Sequence, residues 1–233
     1  MARGSGASII PRKNAAGQSP PLTRGKIAAA LVVQAVCFVV IGLVLWHLSG
    51  REAADFVVVT FESALLGVCI GLAMIGSLRL LWSVSPGFWE RLVRLQADTY
   101  RDICKALNWP MILLISASAG IGEEALFRGG LQTLLGDYTP PLVAVPIAAF
   151  AFAMMHMAKF PVFVLIWLIG GIFGLLYWWT GDLLAMMIGH AVYDVWALYF
   201  LDREMQRLGL LDEDGEDGED DAPEGREALV NRA

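Results

Sequence analysis

Long apolar runs, almost free of charge, recur along the chain at residues 27–48, 56–78, 111–135, 142–157, 161–179 and 183–201. A bilayer's hydrocarbon core takes about 20 helical residues to cross, and inside it each backbone N–H and C=O must find a partner within its own segment. These runs therefore predict an all-α membrane protein, a bundle of about six transmembrane helices, the fourth of them short. Composition agrees: 57% of the 233 residues are hydrophobic and only 17% charged, where soluble domains hold about 45–50% and 25%. The first run is too long for the apolar part of a secretory signal, about 7–15 residues, and no small-residue cleavage site closes it. It reads as an uncleaved span. No internal repeat is evident.

Residues 79–108 break the pattern. Phe88, Leu92, Leu95, Tyr100, Ile103 and Leu107 recur at near-helical spacing, with Arg91, Arg94, Gln96, Asp98, Arg101 and Lys105 between them. That is an amphipathic helix lying on the membrane surface or capping the bundle, bracketed by Pro86 and Pro110. Gly170, Gly171 and Gly174 in the fifth run predict close helix approach. Trp178 and Trp179 read as an interfacial aromatic belt.

The ends differ from the middle. Residues 1–25 read as a disordered basic arm, residues 26–208 as the membrane domain, and residues 209–233 as a disordered acidic tail. Residues 202–211 are expected to fray out amphipathically. Most of the net charge of −6 comes from residues 212–221; without them the chain is neutral to basic, and nothing points to nucleic acid. Across the spans, Lys and Arg gather on the side of both termini, with Arg51 alone opposite. By the positive-inside rule both termini are cytoplasmic, in a bacterial inner or plasma membrane. Cys37, Cys69 and Cys104 show no ligand spacing and read as small buried hydrophobes. Glu62 and His47 read as interfacial.

Glu123 and Glu124 interrupt the third run, and Arg128 follows. A charge at mid-membrane costs roughly 2.5–3.5 kcal/mol on insertion scales, so one kept there is a functional-site hypothesis by default. Glu124 and Arg128 are four apart and share a helix face. The pair either fixes helix packing or holds a carboxylate ionised beside a reaction; the two roles do not exclude each other. Glu123 is rotated about 100° away and is free to face another helix. His190 and Asp194 are also four apart, while His156 stands alone, one turn after Phe152. Two histidines and a carboxylate pair on three spans, the third, fourth and sixth, can converge on one cavity. Such a set suits hydrolysis: a glutamate as general base on water, a histidine holding that water, another donating to a developing oxyanion. The same Glu and two His are adequate zinc ligands, and spacing does not separate the two. No His-Glu-x-x-His occurs.

Glu123-Glu124-Ala125-Leu126-Phe127-Arg128, Phe152-Ala153-Met154-Met155-His156 and His190-Ala191-Val192-Tyr193-Asp194 together resemble the ordered motifs of the CAAX-protease and bacteriocin-processing family of intramembrane proteases. That family is related to the prenyl-protein endopeptidases and the bacterial Abi proteins. The resemblance covers about residues 110–199, so the motif-bearing core of a protease domain at 26–208 is 110–200. It implies an intramembrane endopeptidase in which Glu123 activates water with His156, and His190 and Asp194 stabilise the oxyanion. Glu124, Arg128 and Phe152 support them. No cofactor is implied by the favoured glutamate-type mechanism; a zinc-like divalent metal on Glu123, His156 and His190 is the alternative. The partner would be a membrane-anchored protein or peptide, such as a C-terminal sorting segment, a bacteriocin precursor or a lipidated tail. A non-catalytic immunity or scaffold protein and a proton-coupled transporter are the competing readings. By residue count, His156 falls near the cytoplasmic end of its span and His190 nearer the other. Tilted helices, or a fourth span continuing past Lys159, would level them.

Overall fold

A computed structural model describes residues 23–211 of the chain. The expected basic arm and acidic tail lie outside the described residues, apart from 23–25 and 209–211. Within them the fold is all-α, with no strand. The helices are α1 (Arg24–Leu48), α2 (Phe61–Val84), α3 (Pro86–Ala106), α4 (Trp109–Gly136), α5 (Pro141–Met155), α6 (Phe160–Thr180) and α7 (Leu183–Arg207). A single 3-10 turn, Ala53–Asp55, joins α1 to α2. Helices α1, α2, α4, α6 and α7 are long and apolar enough to cross a membrane, which makes this a multi-pass integral membrane protein. Helix α5 has only 15 residues, about 22 Å of rise.

Local chemistry sets the ends. The side chains of Thr60, Asn108 and Asp182 accept from the backbone N–H of Ser63, Met111 and Ala185, at 3.0, 2.9 and 2.9 Å, which satisfies donors that a helix start leaves open. Proline sits in the first turn of α3, α4, α5 and α6, where its missing N–H costs nothing. The second span begins at Phe61 rather than residue 56, because Thr60, in the extended region, supplies the cap, and residues 57–60 before the helix have no regular structure. It also continues past Arg79 to Val84. An exposed arginine near a helix end extends its head to water and need not stop the helix.

Residues 202–211 do not fray. Helix α7 runs to Arg207, and Gly209 takes φ +69°. Leu210 N–H then donates to Met205 O at 3.0 Å, and Gly209 N–H to Gln206 O at 3.1 Å. This is the Schellman closure, in which glycine accepts the left-handed turn. It folds Leu210 onto Met205, Ala97 and Cys104, so the apolar side of α3 has a partner and α3 caps one end of the bundle. Burial pushes the Cys104 thiol up to about 12, which leaves it a packing group. Cys37 and Cys69, by contrast, are exposed on helix faces and are not buried hydrophobes.

Without water to drive helices together in lipid, close packing of small residues does much of the work. A Cβ on Gly67 would stand 2.7 Å from Ala185 O, and one on Gly71 2.7 Å from Val192 Cβ, so α2 and α7 touch backbone to backbone. Gly120 brings α4 equally close to Met187 and Ala191 of α7. Outward, Val33, Val36, Val40 and Val44 form an exposed apolar stripe on α1. Three contacts gather the basic groups on one face: Arg24 Nε to Ala106 O at 3.0 Å, Lys159 Nζ to Asp98 at 3.8 Å, and Arg207 Nη2 to Glu90 at 2.6 Å. Arg51 pairs with Asp137 on the other face, through two bonds of 2.9 Å that hold its guanidinium above its usual pKa.

Candidate active site

Helix α4 is α-helical to Glu124 and then widens into a π-helix over Ala125–Gln132. Turns of this kind cluster at functional sites. The Thr133 hydroxyl donates to Arg128 O, five residues back, at 2.9 Å. The wider winding still leaves Arg128 Nη1 3.0 Å from Glu124 Oε1, and both side chains are sealed, at 2% and 0% exposure. The guanidinium lies over the Phe152 ring at 4.6 Å, with Phe173 at 5.8 Å on α6. Its Nη2 donates to Gly170 O at 2.9 Å. One and two turns on, Gln132 Nε2 donates to Gly174 O at 2.7 Å, and the Thr133 and Tyr177 hydroxyls meet at 3.1 Å. Gly170 and Gly174 therefore do pack against a neighbour, while Gly171 faces open space.

The sequence placed His156 and His190 at different depths, and the fold levels them by register. A Cβ on Gly129 would meet Leu183, the first residue of α7, at 2.8 Å. Helix α7 thus starts two turns inside the end of α4, and His190 comes level with the paired glutamates. The fourth span does not continue past Lys159; it ends at Met155. Its shortness leaves His156 at the helix end, within the bundle's depth.

His190 is the hub. Its Nδ1 is 2.7 Å from Glu124 Oε1. Its Nε2 is 3.5 Å from Asp194 Oδ2 and 4.0 Å from Glu123 Oε2. Phe152 stands between the two histidines, with ring centroids 4.7 Å from His156 and 6.0 Å from His190. The Nδ1 atom of His156 lies 3.0 Å from its own helix's Phe152 O, which sets the ring's direction. Glu123 is within Coulombic range of His190, His156, Asp194 and Glu124. All seven residues singled out in the sequence thus fall in one buried His–Glu/Asp cluster, held by α4, α5 and α7.

Exposure divides this cluster. Glu124 and Arg128 are sealed, whereas Glu123 and Asp194 keep 16% and 20% of their side-chain surface. The Oε2 atoms of Glu123 and Glu124 are both buried without a hydrogen-bond partner, so the two carboxylates differ in side-chain exposure and in their ion pairs. Among the described residues no three His, Cys, Asp or Glu side chains are placed to hold one ion, so Glu123, His156 and His190 are not gathered as the alternative metal site requires.

Residues 105–196 match the family model described as type II CAAX prenyl endopeptidase Rce1-like. A CAAX-protease-family domain is therefore matched over part of the chain, the part that contains every cluster residue from Glu123 to Asp194. The chain is also 32% identical, over 118 residues, to the uncharacterized protein YpbD of Bacillus subtilis (strain 168), a stretch that is 49% of this chain. It covers 58% of that relative's length. No solved structure matches the chain.

Gln132, Thr133 and Tyr177 were not singled out in the sequence, because uncharged polar residues near a span's end raise no alarm. A signal did exist: Gln132 is four residues after Arg128, facing two glycines four apart. The π-helix has no comparable signature.

Proposed function

We propose that this chain is an intramembrane endopeptidase of the CAAX-protease type, hydrolysing a peptide bond of a membrane-tethered substrate with Glu123 as general base. The observation that carries the reading is the contrast between adjacent carboxylates: Glu124 is sealed and held at 3.0 Å by Arg128 and 2.7 Å by His190, whereas Glu123 keeps 16% of its side-chain surface and comes no nearer than 4.0 Å to His190. A general base needs a lone pair that water can reach. In the proposed cycle, Glu123 takes a proton from a water that His156 orients, and the water oxygen adds to the scissile carbonyl carbon. Charge gathers on the carbonyl oxygen, and an N–H at Nε2 of His190 donates to it while Asp194 steadies that edge of the ring. Glu124 anchors Nδ1 from behind, and Arg128 holds Glu124. The proton on Glu123 then passes to the leaving nitrogen, the C–N bond breaks, and a carboxylic acid and an amine leave.

The face that gathers Arg24, Lys105, Lys159 and Arg207 is the cytoplasmic one in this reading, so the helix ends at Arg24 and Arg207 both lie there. The test uses the full chain in lipid nanodiscs with a set of lipid-anchored peptides, followed by mass spectrometry of the products. Wild type is expected to cleave at least one anchored peptide, with or without chelator, and Glu123→Gln to cleave none. Cleavage that survives in Glu123→Gln would remove Glu123 from the chemistry.

A further inference from the structure

Helix α3 reaches the catalytic cluster through two side chains one turn apart. Gln96, only 3% exposed, accepts from the Lys159 backbone N–H through Oε1 at 3.1 Å. Tyr100, on the same face of the helix, lies within Coulombic reach of Asp194 and Glu123. Lys159 is three residues beyond His156, and the chain between them has little of its own to hold it. His156 stands at the end of α5, where a helix opens most easily. Met157 follows at φ +45°, with its side chain 84% exposed. A residue with a side chain in that left-handed region costs of order 1–3 kcal/mol and persists only where its surroundings over-determine it. The N–H groups of His156 and Met157 bond back into α5, to Ala153 O and Met154 O at 3.2 and 3.4 Å. The Lys159 N–H instead reaches across to α3.

We infer that Gln96 is a positioning residue for His156 in the proposed hydrolysis, on which this role rests: its Oε1 anchors the left-handed turn after His156 to α3, and so holds the imidazole where it can share a water with Glu123. Phe152 O sets the direction of the His156 ring, but not where the end of α5 stands. Packing alone does not account for an amide at this place. Gln96 Nε2 is buried without a hydrogen-bond partner, which costs about 1–3 kcal/mol, and a methionine would fill the same space without that cost. The neighbours of Gln96 on this face, Ala97 and Cys104, do pack in an apolar cluster with Met205 and Leu210, which keeps α3 steady as an anchor. Gln96 touches no reacting atom in this role, so it acts on kcat and not on KM. A misplacement of about 1 Å in a reacting group can cost roughly 10²-fold.

The test uses the full chain in lipid nanodiscs with two readouts: turnover of an anchored peptide, and the imidazole nitrogen NMR shifts of His156. Gln96→Met keeps the volume and removes the acceptor. It is expected to lower kcat about 10- to 100-fold at unchanged KM and to displace the His156 signals. Gln96→Glu keeps an acceptor oxygen in either protonation state and should bring both readouts back to near wild type. Lys159→Pro cuts the same bond from the other side: Lys159 has φ −63°, which proline adopts, and the backbone loses its N–H. It should reproduce Gln96→Met, whereas Lys159→Gln, which gives up the contact with Asp98 but keeps the N–H, should not. Wild-type kcat and signals in Gln96→Met and Lys159→Pro would overturn the role, as would Gln96→Glu as impaired as Gln96→Met. A wild type that cleaves no peptide would remove the hydrolysis instead. Signals displaced in Gln96→Met and restored in Gln96→Glu would then still support the anchoring of His156, and unmoved signals would overturn it.

Discussion

Two helix interfaces in this protein are built on opposite principles. Between α2 and α7 the contact is made by absence: Gly67, Gly71 and Gly189 present no side chain, and backbones meet. Between α4 and α6 it is made by polar reach: Arg128, Gln132 and Thr133 extend to Gly170 O, Gly174 O and Tyr177. Glycine serves both, but for different ends. In the first it clears room for a neighbouring helix, and in the second it exposes a carbonyl to a long donor. The polar interface holds the sealed half of the reactive cluster, and the glycine interface holds α7, which carries His190, in place. The comparison suggests that chemistry and packing are separable here, and substitutions can probe how far.

The largest effect is expected at Glu123, which belongs to neither interface. Glu123→Gln should lower cleavage roughly 10²–10⁴-fold, the usual worth of a general base, with the thermal midpoint in detergent unchanged. A large fall in the midpoint would mean that Glu123 is a packing residue after all. Next, Arg128→Met strands Glu124 without a counter-charge. Removing one partner of a buried pair typically costs about 3–5 kcal/mol, so folded yield and activity should fall together. Unaltered unfolding in a denaturant titration would show that the polar interface is decorative. Third, Gly71→Leu forces a side chain into backbone contact at α2–α7. Overpacking costs about 1–3 kcal/mol, and activity per folded molecule should hold. A specific loss of turnover in the folded fraction would tie the glycine interface to the chemistry. The smallest change is expected for Gln132→Leu, which forfeits one interhelical bond worth about 0.6 kcal/mol in comparable membrane proteins. A loss above about 2 kcal/mol would mark Gln132 as part of the Arg128 network.

The sequence was most readable where hydrophobicity or charge alone decides. Lipid enforces helices, so the spans follow from uncharged length, and Glu123, Glu124, Arg128, His156, His190 and Asp194 are conspicuous because lipid penalises them. Boundaries were less readable where one polar side chain outweighs a run of apolar ones. Val57, Val58 and Val59 look like the start of a span, yet Thr60 begins the helix. The end of α7 was misread for a related reason. Its charged residues suggested fraying, but Gly209 closes the helix and the apolar side of α3 receives Leu210. Depth was the hardest quantity. Residue counts show the fourth span to be short, but they do not show that α7 starts recessed against Gly129, which is what levels His190 with the glutamates. Register between helices depends on which glycines face which neighbours, and a linear pattern does not contain that.

The shortness of α5 has a consequence beyond geometry. Its length of about 22 Å falls well under a hydrocarbon thickness of about 30 Å, and a bilayer meets such a mismatch by thinning locally at a modest cost per ångström. Lipids that thin in this way beside α5 would draw the aqueous boundary toward His156. Under the proposed function water is the second reagent, and a membrane thinned at this helix would deliver it.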